Sequence, residues 1–174
     1  MKKIITALLL ISVITVMLAS CNGGGADITL PPEESTSNVT ENTVYTFIYK
    51  NTSVTPHAKM SELINGIGDP TSYEESPSCL YQGLDKDYTY PGFKLRTYPE
   101  NEVDYVLNVC FTDDSVATPE GIMLGSTRSE VINAYGSSFT EQNGNMIYVK
   151  GNTELRFRFD GDSVSAIEYW AIEQ

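Results

Sequence analysis

One histidine, three cysteines and a scatter of acids are the groups in this 174-residue chain that could do chemistry. Nucleophilic catalysis needs a base held against a nucleophile and a third group to orient that base. His57 has no such context, and no Gly-x-Ser-x-Gly elbow, phosphate loop or zinc-type spacing occurs. Its place just after Thr55-Pro56, where a helix is expected to begin, is that of an ordinary solvated histidine. Asp85, Asp87, Asp113, Asp114, Asp160 and Asp162 fall in turn-like stretches. Calcium takes roughly six to eight oxygens in a fixed constellation, and Lys86 interrupts the Asp85–Asp87 pair, so these read as solvated turn acids. Glycosidic chemistry would need two carboxyls flanking a cleft, and the sequence singles out no such pair. Cys79 and Cys110 lack the Cys-x-x-Cys spacing of a redox site. They are expected on the first and third strands of a meander. Neighbouring strands are about 4.8 Å apart, so residues two strands apart exceed disulfide reach unless the sheet folds over. Export would favour oxidation, but two buried free thiols are favoured over a disulfide. No enzymatic activity, cofactor or metal is expected.

The elements that would position these groups repeat. Ser61-Glu62-Leu63-Ile64-Asn65-Gly66-Ile67-Gly68 aligns with Ser129-Glu130-Val131-Ile132-Asn133-Ala134-Tyr135-Gly136, with five of eight positions identical. In the first copy Met60, Leu63, Ile64 and Ile67 share one helical face. Thr55 and Pro56 suit an N-cap and first turn, and Gly68 suits a stop. In the second copy Thr127-Arg128-Ser129-Glu130 reads as a capping box, with Gly136 as the stop. A strand is expected at 44–49, before the first helix. Strand-like runs follow at 78–81, 93–98 and 103–111, and again at 146–149, 154–159 and 164–171. Leu155, Phe157 and Phe159 alternate with Glu154, Arg156 and Arg158, so one face of that strand packs and the other meets water. The expectation is an α+β fold: two tandem units, each a helix plus a three-stranded antiparallel meander, sharing one sheet with helices on one face. The units would span 44–115 and 116–174. Aromatics concentrate in the first, and Tyr88, Tyr90, Phe93 and Tyr98 are the candidates for a partner-binding patch, although core packing competes for each of them.

Charge narrows the partners. The chain carries 23 acids against 11 bases, a net charge of −12. Lys2 and Lys3 fall in an expected leader, which leaves 23 acids against 9 bases. That excludes nucleic acid as a partner, since phosphate binding needs a basic face. It also excludes a polybasic attachment to anionic lipid. An acidic surface favours a basic protein partner.

Residues 1–20 read as an export signal: Met1-Lys2-Lys3, an apolar run from 4 to 18, then small residues before Cys21. The run is about 15 residues, short of the roughly 20 that span a bilayer. Leu18-Ala19-Ser20-Cys21 resembles the bacterial lipobox. The resemblance implies that Cys21 becomes the lipidated first residue and that the protein is held at the outer face of the bacterial cell membrane. Residues 21–43 read as the lipidated cysteine and a flexible tether, with Gly23-Gly24-Gly25, Pro31-Pro32 and four unpaired acids.

Residues Gly121-Ile122-Met123-Leu124-Gly125-Ser126-Thr127-Arg128-Ser129-Glu130-Val131, with Ala134-Tyr135-Gly136, resemble the β-lactamase-inhibitor-protein-like fold and, more distantly, the SmpA/BamE type of outer-membrane assembly lipoprotein. The stretch Gly83-Leu84-Asp85-Lys86-Asp87-Tyr88-Thr89-Tyr90, with Thr97-Tyr98-Pro99, is similar to uncharacterised lipoproteins of Gram-positive bacteria. The resemblance implies a non-enzymatic protein-binding module that uses the open face of its sheet. Two other readings remain: a structural accessory subunit of an envelope complex, and a cell-wall-directed enzyme.

Overall fold

Ten strands and two short helices form over residues 43–173, which are the residues that the computed structural model describes. The signal segment 1–20, Cys21 and nearly all of the 21–43 tether lie outside them. β1 (Phe47–Tyr49) and β2 (Thr52–Val54) make a separate hairpin. Its turn residues Lys50 and Asn51 both have positive φ, as a two-residue type I′ turn requires. α1 (Met60–Ile67) follows and buries Met60, Leu63 and Ile67. The main sheet is wholly antiparallel and has eight strands. These are β3 (Ser72–Pro77), β4 (Leu84–Tyr90), β5 (Phe93–Glu100), β6 (Val103–Phe111), β7 (Thr140–Gln142), β8 (Asn145–Lys150), β9 (Thr153–Asp160) and β10 (Ser163–Ala171). α2 (Arg128–Tyr135) lies between β6 and β7 in sequence. The spatial order is β3-β4-β5-β6-β10-β9-β8-β7, so the two outermost strands are the first of each run of four.

The core forms against one face of this sheet. Leu95, Val109, Leu155, Phe157, Ile167 and Tyr169 join Met60, Leu63 and Ile67 of α1 and Val131 of α2 in one buried cluster. The β1–β2 hairpin contributes Phe47 and Val54, with Tyr49 packed against it. Phe47 meets Phe93 and Phe111 at ring-centroid distances of 5.0 Å each. Thr127 caps α2 as the sequence predicts: its hydroxyl accepts from the Glu130 N–H, and the Glu130 carboxylate accepts from the Thr127 N–H. That bond to the carboxylate holds the pKa of Glu130 below its ordinary value.

α1 lies so close to the hairpin that only glycine fits at position 66. A Cβ there would stand 2.3 Å from the Thr52 hydroxyl and 3.2 Å from the Thr52 Cβ. Alanine would gain about 1 kcal/mol of helix propensity, but overpacking costs about 1–3 kcal/mol, and the contact is with a stiff β-branched residue. Gly66→Ala is therefore expected to destabilise the fold by about 1 kcal/mol. Adding Thr52→Ala should recover most of the loss in a denaturation midpoint. A stabilised single variant would show that the hairpin yields.

The expected α+β architecture of helix-plus-three-strand units is corrected. The described chain is mostly β, with two helices of eight residues each. Four strands follow each helix, not three. The missed strands are β2, β3, β4 and β7; the residues of β3 and β7 are all exposed and carry no apolar periodicity. The expected strand at 78–81 is instead a loop between β3 and β4, in which Leu80 is 83% exposed. The opening strand starts at Phe47 and pairs only with β2. Thr55 does not cap α1; its hydroxyl pairs with that of Thr46, and the helix starts from Lys59 with no side-chain cap.

Candidate functional site

Alternation places the polar residues of the central strands together on the face opposite the core. Register then sets them in two rows across the sheet. One row runs Thr89, Lys94, Cys110, Glu168, Arg156 and Ile147 on β4, β5, β6, β10, β9 and β8. The other runs Asp87, Arg96, Asn108, Trp170, Glu154 and Val149 on the same strands. Neither helix supplies a residue to these rows.

Neighbours within the rows hold one another. Arg96 donates from Nε and Nη2 to the two Asp87 carboxylate oxygens, both at 2.7 Å. Arg156 donates from Nε to Glu154 at 2.7 Å, and its guanidinium lies 4.8 Å from the centroid of the Trp170 ring. The Trp170 indole N–H donates to Glu168 at 2.8 Å. The ring is thus half-buried, covered on one side by a guanidinium, and fixed in its plane. These pairs add little to folding stability, because exposed ion pairs are each worth about 0–1 kcal/mol. Their effect is to pre-order a surface. Lys94 and Arg158, both exposed, form no ion pair among the described residues.

Lys94, Arg96, Arg156 and Arg158 are four of the nine bases beyond residue 3, gathered on one face of an acidic protein. Net charge alone pointed to a basic partner. Among the described residues, Lys94 and Arg158 are cations without a partner near the middle of this face, while Glu74 and Asp85 bring acids that are in no ion pair to its β3–β4 side. Cys110 lies between Lys94 and Glu168, and burial, reinforced by Glu168, raises its pKa to about 11. It is therefore a thiol, not a thiolate, at neutral pH. Cys79 sits in the exposed 78–83 loop; both cysteines are free.

The aromatic residues expected to contact a partner lie elsewhere. Tyr88, Tyr90 and Phe93 are 7%, 2% and 0% exposed and belong to the core cluster. Burial raises the Tyr90 phenol to about 12. Tyr98 is also buried, stacked between Tyr81 at 4.8 Å and Tyr105 at 5.7 Å. These four residues form no exposed patch, because inward alternation on β4 and β5 takes three of them into the core. The sequence reading missed Trp170 and the cross-strand partners of the arginines. The available signal was the Glu154-Arg156-Arg158 alternation, which does mark the polar face.

His57 is not a freely solvated residue. It holds a left-handed conformation at φ 69° and is wedged between strand ends. Nε2 faces the carbonyls of Asn152 at 3.2 Å and Ile172 at 3.3 Å, so Nε2 carries the hydrogen. Nδ1 stands 3.1 Å from the Tyr98 hydroxyl.

No family model matches the chain, and no curated protein does. Among solved structures the chain is similar to an extracellular protein containing a SCP domain from Bacillus anthracis str. Ames. The TM-score is 0.50 and the identity 11%, over 84% of this chain and 50% of that one. The chain thus spans half the length of that protein, and at this identity the likeness concerns fold alone. With the mostly-β sheet, it replaces the helix-plus-meander architecture expected from sequence.

Proposed function

We propose that this protein is an exported, lipid-anchored and non-enzymatic binding module whose uncovered sheet face recognises a protein partner at the cell surface. The observation that carries the reading is the face itself: Trp170 and Arg156 stacked and fixed, with Lys94 and Arg158 unpaired beside them. Tryptophan and arginine dominate the energetics of protein interfaces, and pre-ordered side chains lose little entropy on binding. The partner would present carboxylates to Lys94 and Arg158 and an apolar group to the indole. Three carboxylates at the centre of the face are engaged by donors, Asp87 by Arg96, Glu154 by Arg156 and Glu168 by Trp170, as suits recognition more than general-base chemistry. Recurrence of the fold as half of a larger extracellular chain also supports a module.

The anchor is Cys21, by the lipobox resemblance of 18–21. Two acyl chains would hold it stably, at about 0.8 kcal/mol per buried methylene.

A photo-reactive residue at Val149, which is 57% exposed on the open face, should cross-link one protein on intact cells. The same residue at exposed Glu62 on α1 should not. Equal adducts from both sites, or none from Val149, would defeat the reading. In parallel, Cys21→Ser should abolish incorporation of a labelled fatty acid and release the protein into the medium. Retained label would remove the anchor from the proposal.

A further inference from the structure

Where β6 and β10 part at one end of the sheet, a pocket of about 90 Å³ opens beside His57. Tyr81, Tyr98, Glu100, Leu107, Ala171 and Glu173 line the rest. We infer that this pocket binds an alkylammonium group, carried either by a lysine side chain or by a free diamine.

Three features of the pocket converge on that chemistry. First, aromatic residues in fixed positions line it. Tyr81 and Tyr98 stack at 4.8 Å and 29°, Tyr105 continues the column behind Tyr98, and His57 meets Tyr98 edge-on. The His57 ring, held by the carbonyls of Asn152 and Ile172, ties the Tyr98 hydroxyl in place. Tyr98 is covered on both faces by Tyr81 and Tyr105, so the outer face of Tyr81 is the one the stack leaves for a cation, without further ordering.

Second, the charged groups of the lining are all carboxylates. Glu100 and Glu173 stand at the rim, and among the described residues no Lys or Arg lines the pocket and neither acid is in an ion pair. The phenol of Tyr98 registers this field: its pKa is raised by burial first, then by Glu100, its tyrosine neighbours and Glu173. Elsewhere Tyr49, Phe159, Tyr45 and Trp170 each already have a cation over the ring, whereas among the described residues Tyr81, Tyr98 and Tyr105 have none.

Third, the size and donor set select the ligand. A water-sized probe needs about 10–15 Å³, so the volume admits an ammonium with its first methylenes but not a sugar ring or nucleotide. A divalent metal is disfavoured, because among the described residues no three His, Cys, Asp or Glu side chains converge.

The site is separate from Trp170 and Arg158, so it stands without the open-face reading. The test is calorimetric titration of the full chain, in non-ionic detergent, with 1,4-diaminobutane and with Nα-acetyl-lysine methylamide. One of the two should bind saturably, and Nα,Nε-diacetyl-lysine methylamide, which has no charge, should not. Glu173→Gln alters an exposed residue by a near-isosteric change, so it keeps the fold; it should weaken binding about fivefold or more, and Tyr81→Leu likewise. Trp170→Ala should leave amine binding unchanged. Tighter binding of the lysine analogue would name a side chain as the source, and tighter binding of the diamine a free amine; either supports the site. Absence of saturable binding to both amines, equal binding of the neutral analogue, or indifference to both Glu173→Gln and Tyr81→Leu would overturn it.

Discussion

Replacing Phe93 with alanine will cost the fold about 3–5 kcal/mol, the range for a large aromatic removed from a packed core. Its ring is 0% exposed and touches three others, with centroids at 5.0 Å from Phe47, 4.8 Å from Tyr49 and 5.0 Å from Tyr90. The side chain therefore joins the β1–β2 hairpin to the main sheet. Truncation leaves a cavity between two sheets that cannot close, because α1 and Gly66 already bring the hairpin to contact. Domains of this size have total stabilities of about 5–15 kcal/mol, so the variant would lose a large share of its margin. Urea denaturation of the full chain should show a lower midpoint with an unchanged slope. A loss below about 1 kcal/mol would mean that the hairpin does not rest on Phe93. Any loss of partner binding in this variant would follow from unfolding, since the residue has no surface to offer.

Phe93 also illustrates what the sequence can and cannot convey. The apolar and aromatic composition of β5 marks it as sheet, whereas β4, with Asp85, Lys86 and Asp87, was not read as a strand, and an aromatic residue type does not say which face it occupies. The turn Tyr90-Pro91-Gly92-Phe93 decides it. Gly92 takes φ 85°, which suits a Pro-Gly type II turn, and Tyr90 and Phe93 become cross-strand partners pointing into the core. Local signals were legible where local physics sets the structure. Thr127 and Glu130 cap α2 through bonds three residues apart, and Leu155-Arg156-Phe157-Arg158 declares a two-sided strand. β3 was not legible, because Ser-Tyr-Glu-Glu-Ser-Pro sits at a sheet edge with both sides exposed and no apolar period to read. Conversely, Cys79-Leu80-Tyr81 looked like a strand by residue type, yet only Tyr81 finds an aromatic partner and Leu80 faces solvent. Of the binding face, the polar positions were readable but their company was not. Asp87 beside Arg96, and Trp170 between Asn108 and Glu154, follow from long-range register. The same holds for His57, whose partners lie 41, 95 and 115 residues away in sequence.

Register also makes the binding reading quantitative, through Trp170 and Arg158. Trp170→Ala is expected to weaken the partner bound at the open face by about 2 kcal/mol or more, roughly 30-fold. The indole is the one aromatic ring in the two rows of that face, and its orientation costs the complex nothing, because Arg156 and Glu168 already fix it. Removing it also takes the ring from beneath Arg156, which Glu154 still holds, so the loss exceeds the area of one ring. Because Trp170 is half-buried, Trp170→Phe serves as the control for packing: it keeps a ring under Arg156 but cannot donate to Glu168. Its binding should fall between wild type and alanine at nearly wild-type stability. Arg158→Glu probes a different step. The side chain is exposed and unpaired, so stability should stay within about 0.5 kcal/mol, while association slows and its salt dependence flattens. The measurement is binding kinetics of the cross-linked partner with the anchored protein, at low and at physiological salt. Faster dissociation in Trp170→Ala and slower association in Arg158→Glu would assign the two residues to the contact and to steering respectively. Wild-type kinetics in both would show that the partner meets this protein somewhere other than its open sheet.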